Sequence, residues 1–181
     1  MHGFERPKQV KVEVMIIHET TEERQNLITD LLRNESTVTL ATISGDGFAH
    51  AAPLYYVSDG LRIFWFSSAS SDHSIHLELN DRVSACVYRS SQGWKEIRGV
   101  QMRGVARLVT SKSARQEITS AYIERFKLGN MFRVAISQSN LYEFSPSWIR
   151  YLDNSRYFGY KFELSCDNAL SAEVESFVST Q

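Results

Sequence analysis

The chain has 181 residues, 43% of them hydrophobic, with a formal net charge of -1. That length suits one packed core and is short for two domains. The near-neutral charge, with no basic block or basic amphipathic helix, argues against nucleic acid or an acidic membrane surface as a partner.

The opening MHGFERPKQVKVEV lacks the charged-then-apolar order of a signal peptide, and no apolar run approaches membrane-spanning length, so a soluble cytoplasmic protein is expected. Residues 1–19 read as an N-terminal extension. Val10, Val12, Val14 and Ile16 alternate there well enough for an extra edge strand. Residues 20–164 form the expected domain and 165–181 a tail of little periodicity. Thr20 to Asn34 predicts a helix: Thr20 or Thr21 caps it, Glu22 and Glu23 suit its positive end, and Leu27, Ile28, Leu31 and Leu32 make one apolar stripe. The period then changes. Val38, Leu40 and Ile43 alternate with threonines, Gly45-Asp46-Gly47 turns the chain, and Phe48 to Val57 runs back as a second strand. Asp59-Gly60 turns it again into a strand ending at Phe66.

Behind that strand lie four serines among five residues and then a helix bearing His73 and His76. Small hydroxyls, exposed backbone N–H groups, a helix N-terminus and a titratable cation in its first turn are the parts of an anion cradle. The apolar strand leading into it offers a flat surface, so a phosphate-bearing aromatic cofactor fits both halves. Further on, Arg82 to Arg89 and Ile97 to Val109 read as strands, Ser111 or Ser113 to Lys127 as a helix ended by Gly129-Asn130, and Leu141 to Leu152 and Tyr157 to Leu164 as aromatic strands. Antiparallel strands on short turns with only two intervening helices predict an α+β protein built on a closed or split β-barrel.

Thr37 to Ile43, the Gly-Asp-Gly turn, Ala51-Ala52-Pro53-Leu54-Tyr55-Tyr56-Val57, Asp59-Gly60, Ile63 to Ser67, the serine bend and His76 to Ser84 together resemble the pyridoxamine 5'-phosphate oxidase-like family of FMN-binding split barrels. Ile97 to Gly104 and the Asp153-Asn154 to Phe158-Gly159 region are similar to its uncharacterised YhbP-like branch. The resemblance covers about residues 25 to 164. It implies an antiparallel six-stranded split barrel with flanking helices, a homodimer, and FMN at the subunit interface. It places Ala52, Pro53 and Leu54 against the flavin ring and Phe66, Ser67, Ser71 and His73 at the flavin and its phosphate. Gln101 matches a position that presents a polar group to the ring, Arg98 supplies a positive charge, and Trp148 stacks on the ring from the partner. Where pyridoxamine phosphate oxidases continue their cradle with Ser, Arg and Lys, this chain has Ser71, Asp72 and His73, and Ala51 stands where a basic substrate contact is expected. Oxidation of pyridoxamine 5'-phosphate itself is therefore not expected.

Plainer readings stand beside these. The serines can form a simple loop, and the aromatic residues can be core. Arg98, Arg103 and Arg107 are as well suited to surface ion pairs as to anion binding. His73 and His76 with His50 or Asp72 make a thin case for a metal, without HExxH or clustered cysteines, and no metal is expected. Cys86 and Cys166 are too far apart for a CxxC motif, and Cys86 reads as a buried free thiol. No GxSxG elbow or GxGxxG fold is present. The expected function is an FMN-dependent oxidoreductase acting on a small organic substrate, with no side chain named as catalytic. The rival is a non-catalytic flavin- or haem-binding or stress-response protein using the same groove. Deazaflavin, or no cofactor at all, completes the alternatives.

Overall fold

A computed structural model describes residues 19–166, so the expected N-terminal edge strand and the tail lie outside the described residues. Helix α1 (Thr21–Asn34) opens the fold with a capping box: Thr20 accepts from the Glu23 N–H, and the Glu23 carboxylate accepts from the Thr20 N–H. Its stripe of Ile28, Leu31 and Leu32 is buried.

Strands β1 (Thr37–Ile43) and β2 (Ala49–Tyr55) form the first hairpin. Strands β3 (Val57–Asp59) and β4 (Arg62–Ser67) form the second, across a turn in which Gly60 takes a φ of +58°, a region that favours glycine. Helix α2 (Asp72–Leu79) follows the serine bend. Then come β5 (Arg82–Tyr88), β6 (Arg98–Leu108), helices α3 (Lys112–Phe126) and α4 (Asn130–Ser137), β7 (Asn140–Asp153) and β8 (Lys161–Ser165). The strands make one antiparallel sheet in the order β2-β1-β5-β6-β7-β4-β3, with β8 also pairing β7.

The described strands number eight, not the six expected, for two reasons. The stretch read as one strand from Phe48 to Val57 breaks at Tyr56, whose hydroxyl donates to the Leu32 carbonyl at 2.8 Å; β2 then pairs with β1, and β3 pairs with β4. The 14-residue β7 lies along β6 on one side, and on the other it gives its first half to β4 and its second half to β8. Gly129 also plays a different part from the one expected. Lys127 ends α3 in the left-handed conformation, and Gly129 is the N-cap of α4, a helix whose short apolar run gave no clear period.

The curled sheet encloses a core of Leu40, Trp65, Met102, Phe144, Ile149 and Tyr151, closed by α1. A second cluster, with Phe64 and Leu141 beneath Ile118 and Tyr122, seats α3 against β3 and β4. Inward and outward residues alternate along β1, β5 and β6, which leaves one face of those strands open to solvent.

Candidate functional site

The serine bend is bound to itself. Ser67 Oγ lies 2.6 Å from His73 Nε2 and 3.0 Å from Ser71 Oγ. Ser71 Oγ lies 3.1 Å from the same imidazole nitrogen and 2.8 Å from Ser74 Oγ, and donates to the Ser68 carbonyl at 2.9 Å. The consequence is local. Thr20 and Ser111 cap α1 and α3 with their side chains, whereas Ser71, the N-cap of α2, makes no side-chain cap bond. The first-turn N–H groups of α2 therefore lack the acceptor that a serine there normally supplies. Burial pushes the His73 imidazole below its ordinary value of 6.5, a shift opposed by Asp72 and reinforced by His76. His76, buried against β1, lies 2.9 Å through Nδ1 from Thr42 Oγ1, with the ring of exposed His50 edge-on at 4.7 Å.

A second feature lies on the open face of the sheet. The pairing register sets Pro53, Thr39, Cys86, Gln101, Arg150 and Glu163 in one row across β2, β1, β5, β6, β7 and β8. The neighbouring row is Ala51, Ala41, Ser84, Arg103, Trp148 and Ser165. Thr39, Cys86, Gln101, Arg103, Trp148 and Arg150 line a groove of about 540 Å³ there, within the size range of small-molecule sites. Trp148 and Arg150 reach this face because of a β-bulge. Arg103 pairs with Trp148 but Gly104 pairs with Pro146, so Ser147 is the extra residue and its hydroxyl donates to the Arg103 carbonyl at 3.2 Å. One inserted residue reverses the alternation of β7, which otherwise turns Trp148 and Arg150 toward the core.

A family model described as pyridoxamine 5'-phosphate oxidase matches residues 25–153. The chain belongs to the pyridoxamine 5'-phosphate oxidase family. Its fold is shared with a conserved hypothetical protein of Mycobacterium tuberculosis (TM-score 0.66, 21% identity, covering 83% of this chain and 95% of that one). A putative pyridoxamine 5'-phosphate oxidase of Listeria innocua also matches, with a TM-score of 0.60, 21% identity and coverage of 72% and 99%. A heme-binding protein of Mycobacterium smegmatis does so with a TM-score of 0.66, 15% identity and coverage of 91% and 71%. At such identities these likenesses speak for the fold. No curated protein matches the chain.

The residues singled out on the resemblance to the pyridoxamine 5'-phosphate oxidase family fall into separate places. Ser67, Ser71 and His73 meet in the bend, which contributes no lining residue to the sheet groove. Gln101 and Trp148 line the groove, and Pro53 shares a row with Gln101. Ala52 and Leu54 take the opposite alternation, opposite buried Leu40 and Val38, and Leu54 packs against the core. Phe66 turns to α3, where it meets Tyr122 at 5.2 Å and the Arg115 guanidinium at 5.3 Å. Arg98 is engaged at the far end of β6, 2.9 Å from the buried Asp153 carboxylate and 3.2 Å from Ser155 Oγ. Cys86 is half-buried and outward, with burial pushing its thiol up, because its row faces away from the core. Thr39, Cys86, Arg103 and Arg150 line the groove with Gln101 without having been expected there, and the two arginines are its charged members. Two-residue alternation along β6 links Gln101 to Arg103, but the bulge hides the link from Trp148 to Arg150 and this face.

Proposed function

We propose that this chain is an FMN-binding flavoprotein, a homodimer acting as an oxidoreductase on a small organic substrate other than pyridoxamine 5'-phosphate. One observation carries the reading: α2 begins without its cap. The N–H groups of its first turn are left to an outside acceptor, among hydroxyls of Ser67, Ser68, Ser70 and Ser71 and the His73 imidazole. A phosphate monoester matches that donor set, and the flavin would supply the redox chemistry when bound. In this reading His73 gives a proton or positive charge to the phosphate. The exposed carboxylate of Asp72 holds affinity down, and Ala51 leaves no cation for a second phosphate. Gln101 and Trp148 on the open sheet face are the ring contacts, with Trp148 offered to the partner's site. A cytoplasmic location belongs to the same reading; among the described residues no helix is long and apolar enough to cross a membrane.

Titration of the full chain with FMN and with riboflavin, followed by flavin fluorescence, tests it. FMN should bind at least about tenfold more tightly, and Ser71→Ala together with His73→Gln should erase the difference. Equal affinities in the unaltered chain overturn the phosphate site. Bleaching of bound flavin by a reduced nicotinamide then separates an oxidoreductase from a carrier.

A haem-binding protein is the second reading, favoured by the likeness to the heme-binding protein of M. smegmatis and by the exposed imidazole of His50 near the start of β2. Hemin titration should then give a Soret shift that His50→Ala abolishes.

A further inference from the structure

Among the described residues, five arginines line the open face of the sheet: Arg62, Arg82, Arg103, Arg107 and Arg150. Three are neutralised. Arg62 pairs with Asp59 and Glu143, Arg107 lies 3.3 Å from Asp81, and Arg150 lies 2.7 Å from Glu163. Among the described residues, Arg82 and Arg103 have no carboxylate partner. Arg103 is the more constrained of the two. Its guanidinium lies 4.4 Å from the centroid of the Trp148 ring, and Arg150 holds the same ring at 5.0 Å. Glu163 fixes the arrangement from the side, accepting from Trp148 Nε1 at 3.2 Å and from Arg150 Nε at 3.0 Å.

The backbone enforces this placement. At the bulge a Cβ on Gly104 would sit 2.1 Å from the Ser145 carbonyl oxygen, so glycine alone allows β6 and β7 to approach as they do. That approach sets Arg103 opposite Trp148. The result is a guanidinium held on an aromatic ring, beside the exposed amide of Gln101, and spared the carboxylate that Arg62, Arg107 and Arg150 each have. Guanidinium forks match the two oxygens of a carboxylate or phosphate, and a stacked Arg loses less freedom on binding one.

We propose that Arg103, stacked on Trp148, is the docking residue for the oxyanion of a small organic ligand, a carboxylate or phosphate ester, in the sheet-face groove. The inference does not rest on a flavin phosphate in the serine bend. The anion has two possible sources, a separate anionic substrate or the phosphate of FMN itself.

The test uses the full chain and calorimetric titration with benzoate, phenyl phosphate, neutral benzamide, FMN and riboflavin. At least one anion should bind ten or more times tighter than its neutral counterpart. Arg103→Gln should remove that preference, Arg103→Lys should retain part of it, and Arg107→Gln should leave it intact. Loss confined to benzoate or phenyl phosphate assigns the site to a substrate. Loss of the FMN-over-riboflavin preference assigns it to the cofactor. If no anion is preferred, or every preference survives Arg103→Gln, the proposal is overturned. An FMN preference that survives Arg103→Gln but disappears with Ser71→Ala and His73→Gln upholds the serine bend and removes Arg103 as the site of the cofactor's phosphate, and Arg103 then stands or falls on benzoate and phenyl phosphate.

Discussion

Ser67 Oγ and His73 Nε2 stand 2.6 Å apart across the bend between β4 and α2. In the free protein burial favours the neutral imidazole, so His73 takes its proton below the ordinary 6.5. A bound phosphate pulls that value back up. Binding then takes up a proton between the two values, and affinity falls as pH rises through that window, by at most about tenfold per pH unit. The phosphate's own second ionisation lies near the same range, at roughly pH 6, so the measurement is the difference between the unaltered chain and His73→Gln. FMN titrations across this range should show the steeper fall only with His73 present, and parallel profiles would remove the histidine from the site. For folding the sign is opposite. The unfolded chain binds the proton more readily, so His73 withdraws stability as pH drops below 6.5, and urea midpoints of the ligand-free protein should fall less in His73→Gln.

Gly104→Ala tests the bulge. The added methyl meets backbone atoms, Ser145 O at 2.1 Å and Pro146 Cα at 2.7 Å, and these cannot rotate aside as a side chain can. A loss of at least about 3 kcal/mol is expected in urea unfolding, together with a change in Trp148 fluorescence as the pairing slips. A loss below about 1 kcal/mol would mean that the strands tolerate a regular pairing there.

Sequence made the β1–β2 and β3–β4 hairpins, α1 with its cap, and the serine bend legible because each depends on neighbours within a few residues. Thr20 and Glu23 lie three apart, and the bend follows directly on β4. The continuous meander that these strands suggest does not form, since β4 pairs with β3 and β7 and not with β2. The open face was harder to read. It is assembled from residues as distant as Thr39 and Arg150, and its alternation shifts at Ser147, whose insertion carries no marker in the sequence apart from the glycine at Gly104. Composition could not separate the arginines of β6 either. Their difference lies in which one meets Asp153, which meets Asp81, and which meets only an indole ring.

Arg98→Ala should behave as a structural change and not as loss of a ligand contact. Asp153 is buried, and besides Arg98 it accepts from the Ser155 N–H at 3.0 Å, from the Ser155 hydroxyl at 2.6 Å and from the Tyr151 hydroxyl at 3.3 Å. The tyrosine is itself pushed up to about 12, mainly by burial and secondly by the Asp153 charge. Removing the guanidinium leaves a buried carboxylate without its cation. The cost should be about 2 kcal/mol, below the roughly 3–5 kcal/mol of a fully buried pair because Arg98 stays partly in water. Thermal melts should show this loss while FMN affinity, measured well below the melt, stays within about twofold. A tenfold loss of FMN affinity at unchanged stability would return Arg98 to the ligand site.

The open face also gives a test of association. Thr39, Cys86 and Gln101 lie in one row on the side of the sheet away from the core, and Cys86 is partly accessible in the single chain. If two copies meet through this face, as the proposed shared cofactor site requires, the Cys86 thiol is covered in the dimer and uncovered on dilution. In a Cys166→Ser background, maleimide labelling of Cys86 should therefore quicken as the protein is diluted, in step with dissociation followed by sedimentation and with release of bound FMN. Sedimentation of a monomer that keeps its flavin, or a labelling rate indifferent to concentration while the dimer dissociates, would place the interface elsewhere.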